Sequence, residues 1–170
     1  MGYELRPETP EGGEPLYEEL PDPDAAFGYV RGFAARFGVG GLAPPPLRAN
    51  TRRAHAVALH ARDAGRLEAY RTAALDAYWR RGAGLESDGD LAAVAREAGL
   101  DPAAALAAAR DPAVLERVDA ARRDALAAGI ASLPTFDFGA ERVVGCQPYE
   151  KLAEAARRAG ARPRAAAGPG

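Results

Sequence analysis

Few residues in this sequence could do redox or metal chemistry: its 170 residues include one cysteine and two histidines. Cys146 stands just before a predicted helix start, where the helix dipole favours a thiolate. A reactive thiol is one interpretation. The commoner one is a small buried residue in a turn, since free cysteine often behaves as a small hydrophobe. His55 and His60 are too far apart in sequence to form an i, i+4 metal pair on a helix, and we predict no metal site.

A single cysteine also excludes an internal disulfide and a Cys-x-x-Cys pair within this sequence. In such a pair one thiol attacks a substrate disulfide and the second resolves the mixed disulfide. The sequence has no glycine-rich phosphate loop of the Walker or dinucleotide type. Neither Ser87 nor Ser132 lies in a nucleophile-elbow sequence. We therefore predict no catalytic residue and no cofactor in this sequence.

Composition and charge exclude several partners. The formal net charge is -2, which gives no reason to expect nucleic acid, and 48% of the residues are hydrophobic, which supports a globular core. No apolar run approaches the ~20 residues that span a bilayer. The N-terminus lacks the positively charged, apolar pattern of a signal peptide, so a cytoplasmic location without membrane contact is predicted.

The clearest β signal lies near the C-terminus. Phe136 and Phe138 alternate with polar residues, as in a half-buried strand. Gly139 opens a two-residue turn of the kind that forms type II′ hairpins. Residues 142–144 then provide the return strand, and Pro148 stands where a proline can begin a helix without losing a needed N–H. This region is therefore predicted to be a hairpin followed by a terminal helix.

Most of the remaining chain has the apolar spacing of helices. A brief strand is predicted at Tyr3 and Leu5, before a stretch rich in proline, glycine and acidic residues. Five further helix starts are predicted from a capping residue. Asp24 would cap a helix over 25–37, Asn50 or Thr51 would cap a helix that runs to about Asp63, and Ser87 or Asp88 would begin the next. Two more helices would begin where an aspartate precedes a proline, at Asp101-Pro102 and Asp111-Pro112.

Together these motifs resemble those of a known family. Leu-Pro-Thr-Phe at 133–136, a tight hairpin, and Val-Gly-Cys-Gln-Pro at 144–148 resemble the C-terminal half of DsbA-family thioredoxin-fold oxidoreductases, especially the FrnE-type branch. Residues 3–8 resemble the segment that ends that family's second strand. Two departures are Leu133, where valine is usual, and Cys146, where a small residue is usual.

The resemblance implies an α+β, thioredoxin-like fold with an inserted all-helical subdomain. In the family, a strand and a helix carrying the redox motif precede the segment that resembles residues 3–8, so the sequence is interpreted as N-terminally truncated. The implied organisation is a partial N-terminal segment and helix at 1–38, a helical insertion at 39–110, a C-terminal thioredoxin-like half at 111–160 and a disordered tail at 161–170.

The resemblance also implies a function. Leu133, Pro134 and Thr135 would bind substrate, because in the family this loop faces the redox pair and its backbone pairs with an extended chain. The partner would be an extended peptide or protein thiol. A second copy of the chain is another candidate partner, and it would bind through an exposed sheet edge. Spacing alone leaves the isomer of the bond before Pro134 open.

Three functional hypotheses remain open from the sequence. The first is a DsbA-like thiol–disulfide oxidoreductase that is inactive as it stands, because this sequence lacks the redox pair. The second is a non-catalytic thioredoxin-like protein that binds a peptide or another subunit. The third is a glutathione-dependent isomerase of the hydroxychromene-carboxylate type, whose relatives use glutathione and a serine near the N-terminus.

Overall fold

The computed structural model describes residues 4–16, 21–43, 45 and 47–162. The predicted strand residue Tyr3, and the predicted tail beyond residue 162, lie outside the described residues. Leu5 is described and is not part of a strand, so that part of the prediction was wrong. The chain divides into two compact units, Met1–Ala125 and Leu126–Gly170, with the division in the last turn of one helix.

The first unit is largely helical. In chain order it contains β1 (Glu14–Pro15), α1 (Pro23–Ala35), β2 (Leu47–Arg48), α2 (Arg52–Asp63), α3 (Leu67–Arg81), α4 (Asp88–Glu97), α5 (Pro102–Ala108) and most of α6 (Pro112–Ala127). The second unit contains the end of α6, then β3 (Thr135–Asp137), β4 (Arg142–Val144) and α7 (Tyr149–Arg158). None of the helices in the described residues has the length and apolar character that crossing a bilayer requires.

Capping side chains set the helix starts, mostly where predicted. The Ser87 hydroxyl accepts the Asp90 N–H at the start of α4, and the Asp101 carboxylate accepts the N–H groups of the first turn of α5. The prediction was wrong for α1, which begins at Pro23. Asp22, not Asp24, is its cap, because Pro23 occupies the first helical position and Asp22 accepts the N–H of Ala25.

The core of the first unit lies between α2, α3, α4 and α5. Alanine supplies most of its buried positions, so helices approach closely but each residue buries little apolar area. Leu91 and Val57 are the two largest fully buried side chains among the described residues. The buried hydroxyl of Tyr70 donates to the carbonyl of Ala54 at 2.9 Å, which satisfies it and joins α3 to α2.

A short ladder that the sequence did not predict joins β1 to β2. Glu14 pairs with Arg48 and Pro15 pairs with Leu47, in antiparallel register. The carboxylate of Glu86 holds this region by accepting the N–H of Gly12 at 2.8 Å and the N–H of Asn50. The N-terminal segment is therefore tied by its backbone to the loop before α4, even though proline and glycine are frequent in it.

The second unit contains the predicted hairpin. Phe136 of β3 pairs with Val143 of β4, and Phe138 donates to the carbonyl of Glu141 at 2.9 Å across the turn. Gly139 has a φ of 86°, whereas Ala140 has a negative φ. That combination is the type II′ turn, so the sequence prediction is confirmed.

Candidate substrate-binding site

The three residues predicted to bind substrate lie together at the start of β3. The peptide bond between Leu133 and Pro134 is cis. The Pro134 carbonyl accepts the N–H of Gly145 at 2.8 Å, and the Thr135 hydroxyl donates to the carbonyl of Ser132 at 2.5 Å. The Leu133 side chain is 43% exposed. The segment is thus fixed on the hairpin side and open to solvent at Leu133.

The backbone of β3 is paired on one side only within the described residues. In an antiparallel ladder, alternate residues direct both backbone groups to the partner strand. The bonds at Pro134 and Phe138 show that the even-numbered residues of β3 face β4. Thr135 and Asp137 therefore direct their N–H and C=O groups away from β4, and this row is called the open edge of β3.

Arg142 fixes the hairpin at the turn. Its guanidinium donates twice to one carboxylate oxygen of Asp137, at 3.2 and 2.6 Å, and once to the carbonyl of Ala128 at 2.9 Å. The Gly139 N–H, and after it the Arg142 guanidinium, hold the pKa of Asp137 below its usual value, because both stabilise the carboxylate. Arg142 thus links the hairpin to the chain that follows α6.

A second arginine attaches the terminal helix to the hairpin. Arg158 of α7 donates to both carboxylate oxygens of Glu141, at 2.9 and 2.6 Å, and this contact lowers the pKa of Glu141. Sequence reasoning missed both arginines. A signal was present for Arg142, which lies directly opposite Asp137 across a two-residue turn. The Glu141–Arg158 pair has a long sequence separation and gave no such signal.

Cys146 is exposed, which contradicts the interpretation that it is a small buried residue. It follows the last ladder contact, Gly145 to Pro134, in the segment that leads to α7. The nearby Gln147 side chain donates to the Val144 carbonyl at 3.0 Å, and this segment does not enter the core. The thiol is therefore accessible, one residue beyond a direct contact with the predicted substrate segment.

The two histidines are not part of a cluster of metal-binding side chains within the described residues. In the part of the chain that the structure describes, no three histidine, cysteine, aspartate or glutamate residues are placed to hold a metal ion. His55 is partly buried on α2, and this burial lowers its pKa, which favours the neutral imidazole.

These features define the class of protein. A proline-led hairpin followed by a closing helix, with a helical region before it, is the C-terminal part of a thioredoxin-like architecture. The sequence matches the DSBA-like thioredoxin domain over residues 8–157. The chain therefore belongs to the DsbA-like family of thioredoxin-domain oxidoreductases.

A solved structure agrees with this assignment at the level of the fold. The crystal structure of a probable DsbA oxidoreductase from Streptomyces coelicolor is similar, with a TM-score of 0.81 and 24% sequence identity. The similarity covers 96% of this chain and 76% of that chain. No curated protein matches this chain. The predicted family, and the predicted α+β thioredoxin-like fold with a helical insertion, are confirmed.

Proposed function

We propose that this chain serves thiol–disulfide exchange by binding an extended protein-thiol substrate along the open edge of β3, with Leu133, Pro134 and Thr135 as the binding segment. The observation that carries the proposal is that no other strand within the described ranges pairs with Thr135 and Asp137 on the side of β3 away from β4. An extended chain can add to such an edge as a further strand.

The chemistry of this edge suits a substrate of variable sequence. Main-chain hydrogen bonds supply most of the affinity in strand addition, so no particular substrate side chain is needed. The exposed Leu133 side chain adds an apolar contact at one end of the edge. Arg142 and Arg158 fix the hairpin through their contacts with Asp137 and Glu141. Little further ordering of β3 is therefore required when a substrate binds.

The residues in this sequence provide binding but not the complete redox cycle. Exchange with a substrate disulfide needs an attacking thiolate and a second thiol that resolves the mixed disulfide. This sequence contains Cys146 alone. We therefore propose that the sequence as it stands does not turn over a disulfide substrate. A non-catalytic binding protein is the second candidate. Binding needs only the open edge of β3, and it does not need a second thiol beside Cys146.

Peptide binding tests the site at Thr135. The probe is a short fluorescein-labelled peptide with one central cysteine, and the readout is its fluorescence anisotropy. Thr135→Pro removes the open-edge N–H without removing a bond to β4, because residue 135 faces away from β4. Loss of that hydrogen bond, worth about 1–1.5 kcal/mol, is expected to weaken binding about five- to tenfold.

Two variants serve as matched controls. Thr135→Val loses the hydroxyl contact to Ser132 but keeps the N–H, so binding is expected to persist. Cys146→Ala is expected to leave the fold and the binding unchanged, because the thiol is exposed and makes no ladder contact. Equal binding by Thr135→Pro and the original chain, with an unchanged circular dichroism spectrum, would contradict the proposed site. Reduction of a disulfide substrate by this chain alone would contradict the proposed lack of turnover.

A further inference from the structure

Helix α1, which ends at Ala35, and the turn directly after it present aromatic side chains to solvent: Tyr29 and Phe33 lie on the helix, and Phe37 lies in the turn. Tyr29, Phe33 and Phe37 follow one another at four-residue spacing, and successive ring centroids are 6.3 and 5.3 Å apart. Tyr29 is 74% exposed and Phe37 is 44% exposed. On the opposite side of the helix, Phe27 is buried. Contiguous apolar surface of this kind on a small protein is typical of an interaction site. We call these three residues the α1 stripe.

An apolar groove adjoins the α1 stripe within the same unit. It is a cavity of about 390 Å³ with Val30 and Val39 on one side and Leu75 and Trp79 on the other. Val39 and Leu75 are themselves exposed large hydrophobic residues. The stripe and the groove together form one apolar surface that the described residues leave uncovered.

The charges at the ends of α1 show which partner this surface fits. Asp22 caps the first turn, and Arg36 follows the last residue of the helix. Neither forms an ion pair with another described residue. At 1.5 Å and 100° per residue, they lie about 21 Å apart along the axis and within about 40° of each other, on the side of the α1 stripe. Tyr29 is midway between them.

We propose that a second copy of this chain packs its α1 antiparallel against this surface, with a two-fold axis near Tyr29. In that arrangement Arg36 of each copy lies opposite Asp22 of the other, so two ion pairs flank the aromatic contact. A parallel arrangement would place like charges together. The charge pattern along α1 is therefore complementary to the same pattern running in the opposite direction. An isologous dimer interface requires this self-complementarity.

Light scattering coupled to size exclusion tests this interface on the full chain. The expected mass is twice the 17.7 kDa of one chain. Phe33→Asp places a carboxylate in the aromatic contact and is expected to return the mass to 17.7 kDa, with an unchanged circular dichroism spectrum. Arg31→Gln is the control, because Arg31 lies over the Phe27 ring on the other side of α1. It is expected to leave the dimer intact.

Charge variants test the antiparallel arrangement. Arg36→Glu places a negative charge opposite Asp22 of the other copy. The dissociation constant of the dimer is therefore expected to rise about tenfold at low salt, and by a smaller factor at high salt because salt screens the repulsion. Adding Asp22→Asn to Arg36→Glu is expected to recover part of that loss, because asparagine still caps the helix but carries no charge. A monomeric original chain would overturn the proposal. A dimer that Thr135→Pro dissociates and Phe33→Asp does not would also overturn it, in favour of the open edge of β3.

Discussion

Replacing Leu91 by alanine is expected to lower the free energy of unfolding of the first unit by about 2–5 kcal/mol. Leu91 lies on α4 and is fully buried in the core formed by α2, α3, α4 and α5. The surrounding side chains are mostly alanines on backbones that already approach closely, so they have little freedom to fill the space left behind. The loss therefore includes a cavity term as well as the lost transfer free energy.

Urea denaturation followed by circular dichroism measures this loss. Leu126→Ala is the control: this leucine is exposed near the end of α6, and its truncation is expected to change stability by about 0.5 kcal/mol or less. A Leu91→Ala variant that unfolds at the same urea concentration as Leu126→Ala would show that this core is not what stabilises the helical unit.

Replacing Gly13 by alanine is expected to cost about 2 kcal/mol or more and to release β1 from β2. Gly13 has a φ of 75°, where an L side chain costs about 1–2 kcal/mol. An added Cβ would also lie 2.8 Å from the carbonyl oxygen of Arg48, which is a backbone atom of β2. The variant must therefore move one strand away from the other. Amide hydrogen exchange at Gly13 and Glu14 and at residues 47–48 reports this opening directly, since Pro15 has no N–H.

Gly12→Ala separates the two causes. Gly12 also has a positive φ, but an added Cβ there would meet no atom within 4 Å. Only the conformational cost is then expected, and the β1–β2 ladder is expected to keep its protection from exchange. Equal opening of the ladder in both variants would show that the close approach to Arg48 does not matter.

Local capping and turn chemistry made much of the fold predictable. Asp101 and Asp111 each precede a proline, and both helices begin at that proline, as the sequence indicated. The same rule decides α1, where Asp22 and Asp24 flank Pro23 and only Asp22 can precede it at the cap position. The Gly139 turn is likewise a local signal, because its positive φ is needed for a two-residue hairpin.

Features that depend on distant parts of the chain were not predictable. β1 and β2 contain two residues each and pair across more than thirty positions, so neither has a strand pattern of its own. The contact from Glu86 to the backbone of Gly12 spans 74 positions, a still longer separation. Exposure of Cys146 could not be read from its neighbours either, since it depends on how the segment after β4 leaves the ladder. For the proposed binding segment, the residue types could be selected from the family resemblance, whereas the arginine contacts that hold the hairpin could not.

The most direct test of the proposed function is residue-resolved amide hydrogen exchange in β3, with and without the cysteine-containing peptide. In the free chain, the amides of Thr135 and Asp137 are expected to exchange fast, and that of Phe136 slowly, because only Phe136 faces β4. Bound peptide is expected to protect Thr135 and Asp137 and to leave Phe136 unchanged. Peptide binding without protection of Thr135 and Asp137 would contradict strand addition at this edge.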